Sequence, residues 1–466
     1  MRLIISEKAN AARKIAQFLA EGPVKEGKHR SVPYHTFTWR GEECVSVGLK
    51  GHVLNPEYPE EYSNWQKVDP RELIDARILK SVSEKGVAAA VRSLAKKADR
   101  VIIATDFDRE GELIGVEALS LAFEANPALM DHVERARFSA LTKGEVTRAF
   151  ENLVEVSREL ADAGEARQDI DLIWGATLTR WVSRAVKRYG SAFLSVGRVQ
   201  SPTLVLIAER ELERRAFVPE PYWEVEARLQ NGGGPFVARH ARGRFKEEAE
   251  ARRALENLSE TAVVTEVRQR EATRPAPAPF NTTAFLTAAA NIGVSPSRAA
   301  RIAEDLYTEG YISYPRTDNT VYPESLDLRE VLGFLAEVEG VGDYAGRLLG
   351  AGRLTPTRGR RQTTDHPPIY PTGRASRAEL REDQWKIYQL VVRRFLATLS
   401  GPAKTLRTTL RFESGGEPLV AGGTVVTEEG WLAVYHYGRR RDEELPRLSK
   451  GDEVRVAEAE LLAKET

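Results

Sequence analysis

Three carboxylates follow a short apolar run at alternate positions. The run Val101–Ala104 is brief and β-branched, which is typical of a buried strand in a parallel sheet. Asp106, Asp108 and Glu110 come directly after it, where open α/β sheets collect their chemistry. Negative charges packed so closely repel one another unless a cation lies between them, and Mg²⁺ accepts carboxylate ligands. The pattern therefore predicts a magnesium site at the end of this strand.

The same acids also allow a purely structural interpretation. Asp108 is a good helix N-cap residue, and Glu110 and Glu112 would lie favourably at the positive end of the following helix. The acidic triplet by itself does not decide between capping and metal binding, so residues elsewhere in the chain must.

A second junction of the same kind lies near the N-terminus. Arg2–Ile5 is predicted to be a strand, and Ser6 is predicted to cap the helix that follows. Glu7 and Lys8 therefore lie at a strand-to-helix junction. If this strand neighbours Val101–Ala104, both junctions face one crevice. The alternative is that Glu7 stabilises its helix end and Lys8 is solvated.

Tyr314 and Arg316 form a second candidate chemical unit. A free tyrosine, with a pKa near 10, is a poor nucleophile at neutral pH. A nearby cation favours the phenolate and also stabilises a phosphoryl transition state. The pair therefore suits attack on a DNA phosphate, with His366 offering an imidazole to the same phosphate. The alternative is that Tyr314 is a core or stacking tyrosine in a strand.

Composition limits the classes of protein. The 466 residues correspond to about three or four domains. No stretch is long and apolar enough to span a membrane, and the absence of a signal peptide predicts a cytoplasmic protein. Because 68 basic and 68 acidic residues balance, any DNA-binding charge must be concentrated locally. The single cysteine excludes a disulfide framework and a zinc ribbon, and the scarcity of Cys and Met favours a heat-adapted source.

The order of sequence patterns predicts an excursion of the chain. A helical region from 142 to about 214 precedes alternating β sequence at 217–270, and a Pro/Ala spacer at 273–279 marks the clearest boundary. Helix, turn, helix and strand then follow, the outline of a winged-helix unit, before β sequence resumes at about 404–460. In that unit Ser295 is predicted to cap the second helix, and Tyr311–Tyr314 to enter a strand. The excursion predicts a hinged arm.

Four motifs in this order resemble those of the type IA DNA topoisomerases. The segment from Gly51 to Tyr62 is most similar to the archaeal and topoisomerase III branch, and the resemblance runs from Met1 to about Arg455. The four motifs are Ile4–Lys8, Asp106–Glu112, Ser195–Thr203 and Tyr311–Asp318.

The resemblance implies a multidomain α/β and α+β fold that closes into a toroid. Its parts would be an N-terminal Toprim domain at 1–141, with an inserted loop segment at about 25–70, and a helical single-strand DNA-binding domain at 142–215. A β-rich hinge or gate domain would comprise 216–272 and 402–466. A winged-helix-like domain at 273–401 would carry the active tyrosine.

The resemblance also implies Mg²⁺-dependent, ATP-independent cleavage of one DNA strand through a 5′-phosphotyrosine, followed by strand passage and religation. The substrate would be a single-stranded segment of negatively supercoiled DNA. The implied catalytic residues are Tyr314, Arg316, Glu7, Lys8 and His366, the implied metal ligands are Asp106, Asp108, Glu110 and Glu7, and the implied DNA-binding residues are Arg167, Asp171, Arg198 and Gln200. Arg180 and Arg184 join the DNA-binding set because they alternate with tryptophans.

The C-terminal end departs from the family pattern. After Gly451–Val454 the family continues with further helices that complete the single-strand domain, whereas this chain reaches Thr466 without them. We therefore expect a truncation, a second polypeptide or a reduced natural form. The sequence leaves a helicase partner open. Two other functions remain as alternatives, a Toprim-type nuclease or nucleotidyl transferase and a non-catalytic clamp for single-stranded DNA.

Overall fold

The computed structural model describes residues 1–232, 234–363, 366–437 and 441–466. None of the helices in these ranges is long and apolar enough to cross a membrane. The chain divides into two compact units. The first comprises 1–209, 279–342 and 358–392, and the second comprises 210–278, 343–357 and 393–466. All of the predicted catalytic and metal-binding residues lie in the first unit.

A six-stranded sheet organises the N-terminal part of the first unit. Its strand order is β2-β3-β4-β1-β7-β8, with β1 parallel to β4 and β7, and β7 parallel to β8. The elements of this part are β1 (Arg2–Ser6), α1 (Ala9–Leu19), β2 (Lys25–His29), β3 (Val32–Trp39), β4 (Glu42–Gly48), β5 (Leu54–Glu57), β6 (Leu79–Val82), α2 (Lys85–Ala95), β7 (Arg100–Ala104), α3 (Arg109–Ala125) and β8 (Val133–Arg135). The segment expected to be an inserted loop thus contributes three strands to this sheet.

The two strands that precede the acidic residues are direct neighbours, so the condition for a shared crevice is met. Ser6 at the end of β1 lies opposite Ala104 at the end of β7. Both strands are fully apolar and fully buried in their centres, as expected for parallel strands covered on both faces. The predicted cap at Ser6 is wrong, because Ser6 is the last residue of β1 and Lys8 occupies the N-cap position without a side-chain cap bond.

Three helices follow the sheet: α4 (Lys143–Glu151), α5 (Arg158–Ala185) and α6 (Gln200–Ala216). Helix α5 packs closely on α3. A side chain at Gly164 would bring a Cβ to 2.6 Å from the carbonyl oxygen of Arg109, so glycine permits this approach. The close packing places Arg167 and Gln168 of α5 beside the start of α3.

The rest of the chain alternates between the two units. Its elements are β9 (Pro221–Asn231), β10 (Gly234–His240), α7 (Glu248–Asn257), β11 (Thr261–Arg274), α8 (Thr282–Asn291), α9 (Pro296–Thr308), α10 (Leu328–Leu335), α11 (Gly342–Leu349), α12 (Glu382–Thr398), β12 (Ala403–Ser414), β13 (Glu417–Glu428) and β14 (Glu453–Glu465). Strands β9 to β14 close into one barrel, in the order β10-β13-β12-β11-β14-β9. The two separate β regions of the sequence therefore combine in a single barrel, with Leu229, Phe236, Leu410 and Phe412 in its core.

The two helices predicted for the winged-helix unit are present as α8 and α9, whereas the residues after them differ from the prediction. Pro296 is the first residue of α9, although the side chain of Ser295 makes no cap hydrogen bond. The predicted strand at Tyr311–Tyr314 is wrong. The amide of Ser313 donates to the carbonyl of Tyr370, whereas that of Tyr314 donates to the carbonyl of Ser139. Because neighbouring residues bond to different segments, no ladder forms, and only an isolated bridge at Ile312 is present here.

Candidate active site

Tyr314 lies directly against the acidic loop between β7 and α3. Its hydroxyl donates to Oδ2 of Asp108 at 2.6 Å, and only 2% of the residue is exposed. Its ring lies 4.5 Å from the imidazole of His366, centroid to centroid. Nδ1 of His366 is 3.0 Å from the hydroxyl of Ser139. The predicted nucleophile, the predicted acidic cluster and the predicted histidine therefore meet at one place.

Asp108 also serves as the N-cap of α3, accepting from the amide of Gly111 at 2.8 Å. Both interpretations of Asp108 therefore apply, the structural one as a helix cap and the chemical one as a partner of Tyr314. One carboxylate oxygen fixes the start of the helix and the other accepts the hydroxyl of Tyr314.

A second tyrosine covers the neighbouring carboxylate. Tyr307, near the end of α9, donates its hydroxyl to Oδ1 of Asp106 at 2.8 Å, and both side chains are buried. The rings of Tyr307 and Tyr314 contact each other edge to face, with centroids 5.2 Å apart. Two phenols and two aspartates therefore form one buried polar cluster.

Burial shifts the protonation equilibria of this cluster. Burial raises the pKa of Asp106 well above its ordinary value, and the charges of Glu7 and Glu304 add to the effect. Burial likewise raises the pKa of Glu7, although Lys8 opposes the shift. The pKa of Tyr314 is raised chiefly by burial and further by the two aspartates, with Arg316 opposing. In the free protein Tyr314 therefore holds its proton.

The two predicted phosphate-binding cations, Lys8 and Arg316, interact electrostatically with these acids. Lys8 forms an ion pair with Glu304 of α9. Burial lowers the pKa of Lys8, but its hydrogen bond to Glu304 and the charges of Glu304, Asp106 and Glu7 together outweigh burial, so the pKa lies above the ordinary value. Burial also lowers the pKa of Arg316, and the charges of Tyr314, Glu304 and other acids outweigh it. Both cations are therefore held in the charged form.

A polar cavity of about 370 Å³ opens beside the acidic loop. Charged and polar side chains dominate its lining, so its contents would be polar or ionic. The lining residues are Glu7, Gly51, His52, Glu110, Ile114, Arg167, Gln168, Asp171 and Arg316.

The hydrogen-bond partners of Glu110 differ from those of Asp106 and Asp108. Its carboxylate accepts from Arg167 at 2.7 Å and lies 3.3 Å from Nε2 of His52. The other ring nitrogen of His52 is 3.1 Å from Glu117, and the pKa of His52 is raised chiefly by that hydrogen bond. Glu117 in turn accepts the backbone amide of Val53. A chain of polar contacts therefore connects Glu110 to the buried interior.

The predicted metal ligands fit a hard cation in chemistry but do not surround a common point. Within the described ranges, no group of three or more Asp, Glu, His or Cys side chains is arranged to hold a metal ion. Three of the four predicted ligands have another partner, a tyrosine for Asp106 and for Asp108 and Arg167 for Glu110. The charge of Glu7 raises the pKa of Asp106, which is the repulsion that a bound cation would relieve.

Comparison with known proteins identifies the family. A family model described as DNA topoisomerase matches residues 155–466, and a Toprim domain model matches residues 2–141. The chain belongs to the type IA DNA topoisomerase family. It is 46% identical to DNA topoisomerase 1 of Archaeoglobus fulgidus over 464 residues, covering 100% of this chain and 68% of the relative. It is 40% identical to DNA topoisomerase 1 of Thermoplasma acidophilum, covering 100% of this chain and 59% of that protein.

The fold of the topoisomerases is shown by a solved structure as well. The full-length topoisomerase I of Thermotoga maritima matches with a TM-score of 0.72 at 23% identity, covering 100% of this chain and 72% of that one. This match confirms the predicted fold class over the whole length of the chain. The chain thus spans about three fifths to seven tenths of the length of these relatives.

Four of the residues predicted to bind DNA in this topoisomerase-family chain lie on α5, α6 or the turn between them. Arg167 and Asp171 line the polar cavity. Arg198 forms a two-point ion pair with Asp171, at 2.5 and 3.0 Å. Gln200 donates to the hydroxyl of Ser195 at 2.8 Å. Three of the four are therefore joined to the cavity, directly or through one ion pair.

The other two predicted DNA contacts hold the protein's own backbone. Arg180 is buried, donates to the carbonyl of Tyr62 at 2.5 Å and lies over the ring of Trp65. Arg184 donates to the carbonyl of Val68 at 2.6 Å. Both arginines thus fasten the segment between β5 and β6 to α5, and a contact of either with DNA would require breaking that bond.

Sequence reasoning missed Glu304, Tyr307 and Ser139. Glu304 and Tyr307 are three residues apart on α9, so they project from one side of the helix toward the acids. That spacing is the one signal in the sequence that could have indicated them. Ser139 carries no such signal, because its contact with His366 depends on segments 227 residues apart.

Proposed function

We propose that this chain cleaves one strand of DNA by attack of Tyr314 on a backbone phosphate. The observation that carries the proposal is the 2.6 Å hydrogen bond from Tyr314 to Asp108, beside the half-buried Lys8 and the exposed Arg316. A buried phenol needs a hydrogen-bond partner in any role, as Tyr307 does with Asp106. The partner of Tyr314 is a carboxylate next to two cations, and it can accept the proton that a nucleophilic tyrosine must lose.

The bond changes follow from the contacts. Oη of Tyr314 forms a bond to phosphorus, and the bond from phosphorus to the 3′-oxygen breaks. The phenol proton passes to Asp108, to which it is already hydrogen bonded. The leaving 3′-oxygen receives a proton from Glu7, whose pKa burial raises. Religation is the reverse, with the 3′-hydroxyl attacking the 5′-phosphotyrosine, so no nucleotide cofactor is required to restore the phosphodiester.

The remaining residues stabilise the phosphate. Arg316 and Lys8 supply positive charge to the phosphoryl oxygens, where charge develops in the transition state. His366, fixed by Ser139 and packed against the ring of Tyr314, adds a donor beside the nucleophile. The cavity lined by Arg167 and Asp171 offers a polar path for the strand next to the scissile phosphate.

We further propose that Mg²⁺ is held by Asp106, Asp108, Glu110 and Glu7. When bound, the cation would supply positive charge that screens these carboxylates from one another and from the DNA phosphates.

The action of the whole enzyme is part of the proposal. Strand passage through the cleaved strand and relaxation of negatively supercoiled DNA in the cytoplasm follow from the family, while this chain spans 59% to 69% of the length of its archaeal relatives. The Pro/Ala spacer would serve as the hinge that strand passage requires. Completion of the DNA-binding domain by a further segment or second polypeptide belongs to the same proposal.

A covalent trap tests the cleavage step. The protein is incubated with single-stranded DNA labelled at its 3′ end, which is the end that stays attached through a 5′-phosphotyrosine, and with Mg²⁺. The mixture is then denatured, and label on the protein is measured. We expect label on the wild type and none on Tyr314→Phe. Tyr311→Phe is the matched control, because it removes a phenol three residues away that lies outside the acidic cluster, and it should retain the label.

Three results would contradict the proposal. Cleaved DNA without attached protein would indicate a nuclease, which needs no tyrosine. Label retained in Tyr314→Phe would place the nucleophile elsewhere. Binding of DNA without cleavage, under any Mg²⁺ concentration, would favour the clamp.

A further inference from the structure

Glu304 is an acid that the cleavage chemistry does not use, yet it lies against the cations that the chemistry needs. It is on the third turn of α9, and its carboxylate forms the ion pair with Lys8. Its charge also contributes to the raised pKa of Arg316. One partly buried carboxylate therefore pairs directly with Lys8 and also interacts electrostatically with Arg316, the second residue assigned to the scissile phosphate.

Without these cations, repulsion from the neighbouring acids would make the position of the Glu304 carboxylate electrostatically unfavourable. Its charge adds to the raised pKa values of Glu7 and Asp106. An additional carboxylate among acids is retained only where cations offset the repulsion. A carboxylate also presents oxygen acceptors to the same N–H donors that bind a phosphate. Glu304 thus resembles a bound phosphate in charge and in acceptor geometry.

We propose that Glu304 is a gating residue that occupies the phosphate position on Lys8 in the DNA-free enzyme, and that an incoming DNA phosphate must displace it. The inference rests on the proposed function, because that function assigns Lys8 to the scissile phosphate. Binding at this position is then an exchange of one anion for another, not the neutralisation of a free cation.

The exchange has two measurable consequences. Removing the charge of Glu304 frees Lys8, so single-stranded DNA should bind more tightly. The dependence on salt should also steepen, by up to about 0.7 in slope for single strands. In the parent, the displaced carboxylate attracts a cation and so offsets the counterion that the phosphate releases, whereas the neutral Gln does not. An internal anion that merely braces α9 against α1 predicts neither change.

The experiment compares Glu304→Gln with its parent in the Tyr314→Phe background without Mg²⁺. Fluorescence anisotropy measures the Kd of a labelled single-stranded oligonucleotide at several salt concentrations. We expect Glu304→Gln to bind about three- to tenfold more tightly at low salt, the range for a partly exposed ion pair that is exchanged.

Glu309→Gln is the matched control. Glu309 ends the same helix, pairs with Lys14 of α1 at 3.6 Å and accepts from Asn10 at 3.0 Å. Its removal changes the net charge and the contact between α1 and α9 in the same way, without touching Lys8. We expect its Kd to stay within about twofold of the parent, since exposed pairs contribute little.

Several results would overturn the inference. They are an unchanged or weaker affinity in Glu304→Gln, or an equal gain in Glu309→Gln, which would indicate a general effect of charge. A third is a gain of the same size when Glu304→Gln is added to Lys8→Gln and compared with Lys8→Gln alone. The inference requires the effect to act through Lys8, so this gain should disappear. Thermal unfolding of each variant separates weaker binding from loss of structure, and a gain in affinity cannot come from unfolding.

Failure of the proposed function would be seen in a different measurement. Binding is measured in Tyr314→Phe, so it does not depend on formation of the covalent adduct. Absence of label in the covalent trap would refute the cleavage mechanism, whereas absence of an affinity gain would refute only the gating role of Glu304.

Discussion

A buried ion pair supports the acidic loop, and breaking it should destabilise the first unit strongly. Arg135, the last residue of β8, pairs with Glu112 of α3 at 2.8 Å, and neither side chain is exposed. We predict that Arg135→Met lowers the free energy of unfolding of this unit by about 3–5 kcal/mol, because it leaves a buried carboxylate without its cation.

The contacts of Arg135 account for this magnitude. Besides Glu112, its guanidinium donates to the carbonyl of Asp106 at 2.9 Å and to that of Ala136 at 2.6 Å. Burial lowers the pKa of Arg135, and Glu112 opposes the shift, so the pair stabilises the charged arginine in the core. The remaining partner of Glu112, the amide of Ser157 at 2.7 Å, cannot replace a full positive charge.

Cys44 provides an assay that reports on this unit alone. It is the single cysteine of the chain, it is fully buried in β4, and it becomes accessible to a thiol reagent when the sheet opens. Labelling by a brief pulse of reagent at increasing urea concentration gives the midpoint and free energy of unfolding. Arg92→Met is the control, because Arg92 pairs with Glu124 on the surface and its loss should cost at most about 1 kcal/mol.

The double variant Arg135→Met with Glu112→Leu decides the interpretation. Replacing both members of a buried pair by apolar side chains of similar size is often nearly neutral, so the double variant should be more stable than Arg135→Met. The reasoning is refuted if the double variant is as unstable as Arg135→Met, or if Arg135→Met and Arg92→Met unfold at the same urea concentration.

Three further predictions concern the candidate active site and the buried thiol of Cys44. Tyr307→Phe leaves the buried carboxylate of Asp106 without its hydroxyl donor, and the rate of adduct formation should fall about tenfold while the Kd for oligonucleotide stays within about twofold. Asp108→Asn removes the proton acceptor of Tyr314, and single-turnover cleavage should slow by about 10²–10⁴-fold; an unchanged rate would exclude Asp108 as the base. Burial raises the pKa of Cys44 to about 11 from an ordinary 9.0, so at pH 8 its thiolate fraction is about a hundredfold smaller than in the unfolded chain. The stability that depends on this thiol is complete below pH 9 and is lost as the pH rises towards 11, which urea titrations at pH 8 and pH 10 would detect.

Local patterns in the sequence were enough to predict the elements that carry the site. The apolar runs at Arg2–Ile5 and Val101–Ala104 predict strands, and the structure confirms both. That the two strands are neighbours was a condition which the structure meets. Helical periodicity predicts which residues of α9 face inward. The alternation of apolar and polar residues predicts the two β regions. Such features depend on neighbours a few residues apart, which a linear sequence displays directly.

Two predictions that failed concern a helix cap and a short strand. Ser6 does not cap α1, and Tyr311–Tyr314 is not a strand. In both cases backbone hydrogen bonds to distant segments override local preference. Ser6 is retained in β1 by its pairing with β4 and β7, and Tyr314 is bonded to Ser139.

The sequence by itself determined which residues could do chemistry: the acids after β7, the pair Glu7 and Lys8, and Tyr314 with Arg316. Only the tertiary structure decided how they are paired. Glu304 reaches Lys8 across 296 residues of sequence, and Tyr314 reaches Asp108 across 206. The physical reason is that a buried charge or hydroxyl must find a partner, and which partner is near depends on how the sheet, α5 and α9 pack together. Sequence patterns reveal chemical capacity, whereas packing determines which acid accepts the proton and which cation is already paired.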